Sequence, residues 1–260
     1  MAEFRRSTRL PHLEARRSSQ DTSCYRAHSH DTLSIGLVET GATVLTGALD
    51  GAVRLGEGDV VVIPAGHVHA CNPAAGRWRY QMIHLDQEWA AALVPAATEL
   101  FDGVRVFRRP DLPALVDALG DAIAADAEAA VLGARSRAVL TALDAAAPAH
   151  VAPERADPEL LDRLAPVLHR LGTAESNPAL DDLAASVGMT RSQLVRAMRQ
   201  ATGLSPLAWR QNARVIRARR MLRAGRAIAE TAHALGFTDQ SHFHRVFRAH
   251  VAAPPGAYRG

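Results

Sequence analysis

Hydrophobic and polar positions change their period twice along the chain. Residues 1–22 are polar and basic with no period, which predicts an arm or a disordered tail. From Tyr25 to about Phe107 the apolar residues come in short runs between glycines. Leu33-Ser34-Ile35-Gly36-Leu37 alternates, Val44-Leu45-Thr46 precedes Gly47, Val53-Arg54-Leu55 precedes Gly56, and Val60 to Ile63 is closed by Pro64. Trp78 to His84 alternates again. Because successive strand side chains point to opposite faces, these runs predict many short strands in a sandwich or small barrel. From Asp111 the spacing lengthens. Leu112, Leu115, Val116, Leu119 and Ile123, then Val131, Val139, Leu140 and Leu143, predict two amphipathic helices. Such helices either cover the barrel or pair with a second subunit. Ala145 to Pro158 is rich in Ala and Pro without a period and reads as a linker.

The remainder reads as helices with explicit start and stop signals. Asp157-Pro158-Glu159, Asn177-Pro178 and Ser205-Pro206 are helix starts, and Thr190-Arg191-Ser192-Gln193 is a capping box. Gly172, Gly225 and Gly236 are stops, and Thr238 or Asp239 caps a last helix. Within this region one pattern occurs twice. Leu183 to Thr190 leads through Gly188 into a helix bearing Leu194, Arg196 and Met198. Ile228 to Thr238 leads through Gly236 into a helix bearing Phe243, Arg245 and Phe247. Each copy is a helix, a tight glycine turn and a second capped helix, the helix-turn-helix pattern whose second helix enters the major groove. Leu183, Val187, Leu194, Phe243 and Phe247 are expected in the core.

Charge sharpens this division. The basic residues are 30 Arg with no Lys, against 27 acids, for a net charge of +3. Residues 1–150 hold 14 Arg against 18 acids, net −4, and residues 151–260 hold 16 against 9, net +7. Residues 183–260 carry 13 Arg and only Glu230 and Asp239, net +11, the footprint of a polyanion binder. On the long helix after Pro206, Arg210, Arg214, Arg217, Arg219, Arg220 and Arg223 span several faces, so phosphate contacts and internal or solvated pairs are both expected. No apolar run reaches the ~18–20 residues of a membrane helix. No signal peptide stands out either, so a cytoplasmic protein without membrane contact is expected. Cys24 and Cys71 are too few for a disulfide scaffold and read as inert thiols or a redox-sensing pair.

The run GFTDQSHFHRVFRAH, followed by Pro-Pro and Tyr258-Arg259, resembles the C-terminal signature of AraC/XylS transcription regulators, and the likeness extends back to about Leu160. The resemblance implies two recognition helices in successive major grooves, with the long helix setting their separation. By matching positions, base-reading candidates are Arg191, Ser192, Val195 and Arg196, then Gln240, Ser241, His244 and Arg245. Arg offers a fork for guanine and Gln can pair with adenine, which agrees with the transfer. One departure is Val251-Ala252, where the family usually has an aromatic residue and a glycine.

Upstream, Gly58-x5-Pro64-x-Gly66-x2-His69-x2-Asn72 resembles the second motif of cupin barrels, and His28-x-His30 the start of the first. Cupin enzymes usually add a Glu shortly after the HxH. Here Thr32 to Ile35 stand in those positions, so no catalytic residue is assigned. A cupin-like sensor is also the usual N-terminal partner of AraC-type regulators. On extended strands His28 and His30 share a face, as do His67, His69 and Cys71. His28, His30, His69 and Cys71 therefore form a possible divalent-metal set, zinc being compatible. No cofactor is otherwise required. His28, His30, His69, Trp78, Tyr80 and His84 are the expected effector pocket.

The fold expected is α+β in two domains. An N-terminal cupin-like β-barrel with two helices spans 23–147, after an arm at 1–22. A linker covers 148–156, and an all-α double helix-turn-helix domain covers 157–260. The function expected is a sequence-specific regulator of double-stranded DNA, not an enzyme, whose barrel binds a small effector. It would act as a homodimer, and would touch RNA polymerase if it activates. Alternatives are a metal or redox sensor, a metal-dependent cupin enzyme with a DNA-binding tail, and an architectural protein with a filled barrel.

Overall fold

The computed structural model describes residues 2–21, 25–47, 51–153 and 157–259. Its contacts divide into two compact units, one built on sheets and one of helices from Pro158 onward, to which residues 25–28 also belong. The first runs β1 (Ala2–Arg6), β2 (Glu14–Gln20), β3 (Leu33–Thr40), β4 (Thr43–Thr46), β5 (Val53–Leu55), β6 (Val60–Ile63), β7 (Ala70–Pro73) and β8 (Trp78–Leu85). Then follow α1 (Gln87–Ala91), β9 (Gly103–Phe107), α2 (Leu112–Ala124), α3 (Ala129–Asp144) and β10 (His150–Pro153). A seven-stranded sheet has the order β1-β2-β8-β3-β6-β9-β10, and a three-stranded sheet has the order β5-β4-β7. Every pairing is antiparallel.

The alternation read from the sequence sorts the two faces of the large sheet. Across the register, Ala15, Ile83, Ile35 and Val62 lie side by side, as do Leu85 with Leu33 and Leu37 with Val60. These residues share one core with Leu112, Val116, Leu119 and Ile123 of α2 and Leu132, Val139, Leu140 and Leu143 of α3. The two amphipathic helices thus cover the sheet. The opposite face carries Glu14, His84 and Ser34 in one row and Ser18, Tyr80 and Val38 in another, all buried.

Two boundaries need correction. Residues 1–22 are not an arm or disordered tail, because 2–6 and 14–20 form strands on the large sheet. Their polar composition hid this. Glu14 is buried because Arg6 Nε donates to it at 2.8 Å, and Arg16 because its Nε donates to Ser18 Oγ at 2.7 Å beneath the Phe4 and Tyr80 rings. The segment 148–156 is not wholly a linker, since His150–Pro153 pairs with β9 at the sheet edge. Residues 154–156 of it, and Cys24, lie outside the described residues.

The helical unit runs α4 (Pro158–Thr173), α5 (Leu180–Ala185), α6 (Arg191–Thr202), α7 (Pro206–Arg223), α8 (Ile228–Ala234), α9 (Gln240–Val251) and α10 (Pro255–Arg259). Leu164, Val167 and Leu171 of α4 pack with Leu183 of α5 and Leu194 and Met198 of α6. Around α9 an aromatic chain joins Phe237, Phe243, Phe247 and Tyr258, with ring centroids 5.1, 5.5 and 5.7 Å apart in turn. Gly188 and Gly236 both adopt left-handed backbone, φ 64° and 67°, at the two turns. At Gly236 a Cβ would also sit 2.6 Å from the Glu175 carbonyl oxygen.

Candidate nucleic-acid interface and sensor site

Local chemistry fixes the start of each recognition helix. Thr190 and Gln193 form the full capping box at α6, and Asp239 caps α9 by accepting from His242 N at 2.7 Å. Leu194 and Met198 on α6, and Phe243 and Phe247 on α9, are buried. The opposite faces are therefore turned outward. Arg191, Ser192 and Arg196 are exposed on α6 with Val195 half-buried, and Gln240, Ser241 and Arg245 are exposed on α9 with His244 half-buried. One turn further along, Arg199 and Arg248 extend the two faces. They were missed, although they repeat the 49-residue offset of Arg196 and Arg245. Such a helix N-terminus with its exposed Arg fork is built for base edges and phosphates.

Arg191 is engaged already. Its Nε and Nη2 both donate to the Asp181 carboxylate of α5, which lowers the pKa of Asp181 and raises that of Arg191. Several α7 arginines are structural. Arg210 is 1% exposed and donates to the Leu171 and Glu175 carbonyls at 3.1 and 3.0 Å. Arg217 donates to Gly172 O at 3.2 Å, and Arg214 donates to Gly236 O at 3.2 Å while lying over the Phe237 ring. Arg219 donates to the Tyr258 hydroxyl. Cations at the carbonyl end of α4 match its dipole and satisfy its last acceptors. Burial lowers the pKa of Arg210 and Arg214. The expected phosphate contacts on α7 thus contract towards Arg220 and Arg223.

In the sheet unit His30 and His69 come together, whereas His28, expected beside them, groups by its contacts with the helical unit. The His30 ring is 5.2 Å from that of His69 and 4.7 Å from that of His84. His28 Nδ1 is 2.8 Å from Arg26 O and His69 Nδ1 is 3.0 Å from His67 O. A carbonyl only accepts, so each Nδ1 carries a proton. Burial lowers the His69 pKa to about 4, so that imidazole is neutral. The His30 and His69 pair fits a borderline divalent ion, and the backbone acceptor of His69 is the outer partner such a ligand needs.

Cys71 is not among them, which corrects the expected four-ligand set. It lines a second region between the sheets, with Trp78, Tyr80, Gly36 and Leu55, where burial pushes its thiol up to about 12. Trp78 and Tyr80 stack there at 4.2 Å, and the space left is about 10 Å³, room for no more than one water. The six expected pocket residues therefore divide. His84, whose Nδ1 is 2.9 Å from Ser34 Oγ, belongs with the histidines, while Trp78 and Tyr80 fill the space between the sheets.

Comparison with known proteins agrees with both halves. An AraC-like ligand binding domain model matches residues 10–189, and a helix-turn-helix domain model matches residues 183–260. The arabinose operon regulatory protein of Salmonella typhimurium is 26% identical over 215 residues, covering 78% of this chain and 74% of that protein. The transcriptional activator NphR of Rhodococcus is 36% identical over 86 residues, covering 33% of this chain and 25% of its own length. Among solved structures, ToxT of Vibrio cholerae aligns with TM-score 0.57 at 9% identity, covering 100% of this chain and 96% of that one.

Proposed function

This chain belongs to the AraC family of DNA-binding transcription regulators, with its ligand-binding domain, and on that premise we propose that it is a homodimeric, non-enzymatic regulator. The sensor's ligand selects which DNA half-sites are occupied together. The observation that carries the reading is the repeated outward face: Arg191, Ser192, Arg196 and Arg199 on α6, and Gln240, Ser241, Arg245 and Arg248 on α9, each behind a left-handed glycine turn. The covering helices leave Val131 of α3 43% exposed, which supports α3 as the dimer contact. Contact with RNA polymerase follows where it activates. Selection of operator DNA by the full chain, followed by titration of Arg245→Ala, tests this. The substitution should weaken specific binding by about 1–3 kcal/mol and relax preference at one base step. Equal affinity and unchanged preference would sink the assignment of α9.

A second reading concerns the ligand. The paired histidines of the sheet unit favour a divalent transition metal held at His30 and His69 as effector or as part of the effector site. Such an ion would supply a Lewis-acid anchor for an oxygen-bearing molecule. Elemental analysis of protein purified without chelator should find metal near one per chain, lost in His30→Ala. Metal-free protein whose DNA affinity ignores added Zn²⁺ would refute it.

A further inference from the structure

One cleft of the sheet unit belongs neither to the space between the sheets nor to the histidines. It opens beside β9, between the chain that follows α1 and the last turn of α3, with a volume of about 430 Å³. That is within the usual size of a small-molecule site. Leu100, Phe107, Leu143 and Ala146 give it an apolar floor. Three charged residues line it, Glu99, Arg105 and Asp144, and the last two have bonding capacity left over.

The first is Arg105, whose side chain is only 11% exposed. Its Nε donates to Glu99 O at 2.8 Å, and its Nη2 lies 3.3 Å from the Glu99 carboxylate. Nη1 makes no hydrogen bond among the described residues. The Glu99 side chain is 79% exposed, so water competes for its carboxylate and another carboxylate can take its place on this largely covered guanidinium. The second is Asp144, the last residue of α3. One of its oxygens accepts from Thr98 Oγ1, and the other has no partner among the described residues. No basic residue occupies the last turn of α3. A carboxylate at the negative end of a helix dipole is unfavourable by itself, and a cation bound there relieves it.

A guanidinium with a displaceable partner, an uncompensated carboxylate at a helix C-terminus and an apolar floor complement one kind of molecule. We propose that this cleft binds a zwitterionic amino acid with an apolar body. Its carboxylate takes the place of Glu99 on Arg105, its ammonium sits on Asp144, and its hydrocarbon part covers Leu100, Phe107 and Leu143. The site is separate from the DNA-facing helices and stands or falls without them.

The test is calorimetry and thermal melting of the full chain with L-leucine, L-phenylalanine and 6-aminohexanoate, which differ in the spacing of their charges. At least one should bind. The half-molecules 3-methylbutylamine and 4-methylpentanoate should each bind at least about tenfold more weakly, since each leaves one charge-assisted bond unmade. Arg105→Gln and Asp144→Asn should each weaken the zwitterion by about tenfold or more, whereas Glu99→Gln, which removes the competing carboxylate, should tighten it. Asp144→Asn relieves the helix end and is expected to melt no lower than the wild type, so it serves if Arg105→Gln fails to fold. No heat and no melting shift with any zwitterion at about 10 mM would overturn the proposal. So would a half-molecule binding as tightly as the zwitterion, or binding indifferent to Asp144→Asn.

Discussion

Among single residues, Asp181 has the most to say about DNA reading. It stands in α5, not on a recognition helix, yet it holds the fork of Arg191 at the first position of α6. The second copy has Glu230 and Gln240 at the same offset, so an acid recurs there but a cation does not. Both partners of the first pair are exposed, and an exposed ion pair contributes little to stability. Its effect falls on binding instead, because a fork engaged by a carboxylate is withheld from phosphates. Asp181→Asn should therefore leave the melting temperature nearly unchanged and raise affinity for random DNA by roughly three- to tenfold. It should also steepen the log–log salt slope by about one. Fluorescence anisotropy on specific and random duplexes checks this, and a specificity ratio that does not fall would contradict it. Ala252, the departure noted in the sequence, ends α9 with left-handed φ of 50°, the conformation for which glycine is the usual choice.

At the scale of elements, legibility follows how local the determining chemistry is. Both helix-turn-helix copies could be read in the sequence because caps, turn glycines and buried stripes act within a few residues, as at Thr190, Gly188 and Leu194. The covering helices α2 and α3 were legible for the same reason. Strands β1 and β2 were not, because Glu14, Arg16 and Ser18 are buried by partners elsewhere and show no apolar alternation. Strand β10 is an edge held to β9 by backbone pairing, which Ala- and Pro-rich sequence does not announce. The α7 arginines were legible as charge and not as structure, since their acceptors are carbonyls at the far end of α4, about 40 residues away. Helix α9 also carries a pH dependence. His250 is 3% exposed, its Nδ1 donates to Val246 O at 2.8 Å, and burial lowers its pKa below the ordinary 6.5. The unfolded chain therefore binds a proton there that the folded chain resists, so stability is full above about pH 6.5 and declines as pH falls below it. In His250→Leu the urea midpoint should vary less between pH 7.5 and 5 than in the wild type, and parallel profiles would show that His250 does not titrate in this way.

For the whole molecule, what matters is how many of the arginines are available to DNA. The net charge of +11 over 183–260 overstates it, because Arg210, Arg214, Arg217 and Arg219 spend donors on the protein itself and Arg191 is held by Asp181. Exposed on the reading faces are Arg196, Arg199, Arg245 and Arg248, with the half-buried Arg223 and the exposed Arg226 beyond them. If each neutralises one phosphate, one chain releases counterions with a log–log salt slope of about −5, since each contact contributes about −0.9. Two chains on one operator double that to about −10. The slope therefore measures stoichiometry as well as electrostatics. Measured on an operator carrying two half-sites and on one carrying a single half-site, it should be near the larger value on the first and near the smaller on the second. Equal slopes on both would rule out cooperative occupation by a dimer, and a nearly flat plot would remove the arginines from the interface altogether. Residues 1–150 are net acidic, which disfavours phosphate contacts from the sheet unit. A ligand acting through it is therefore expected to change the slope by changing how many helical units are on the DNA.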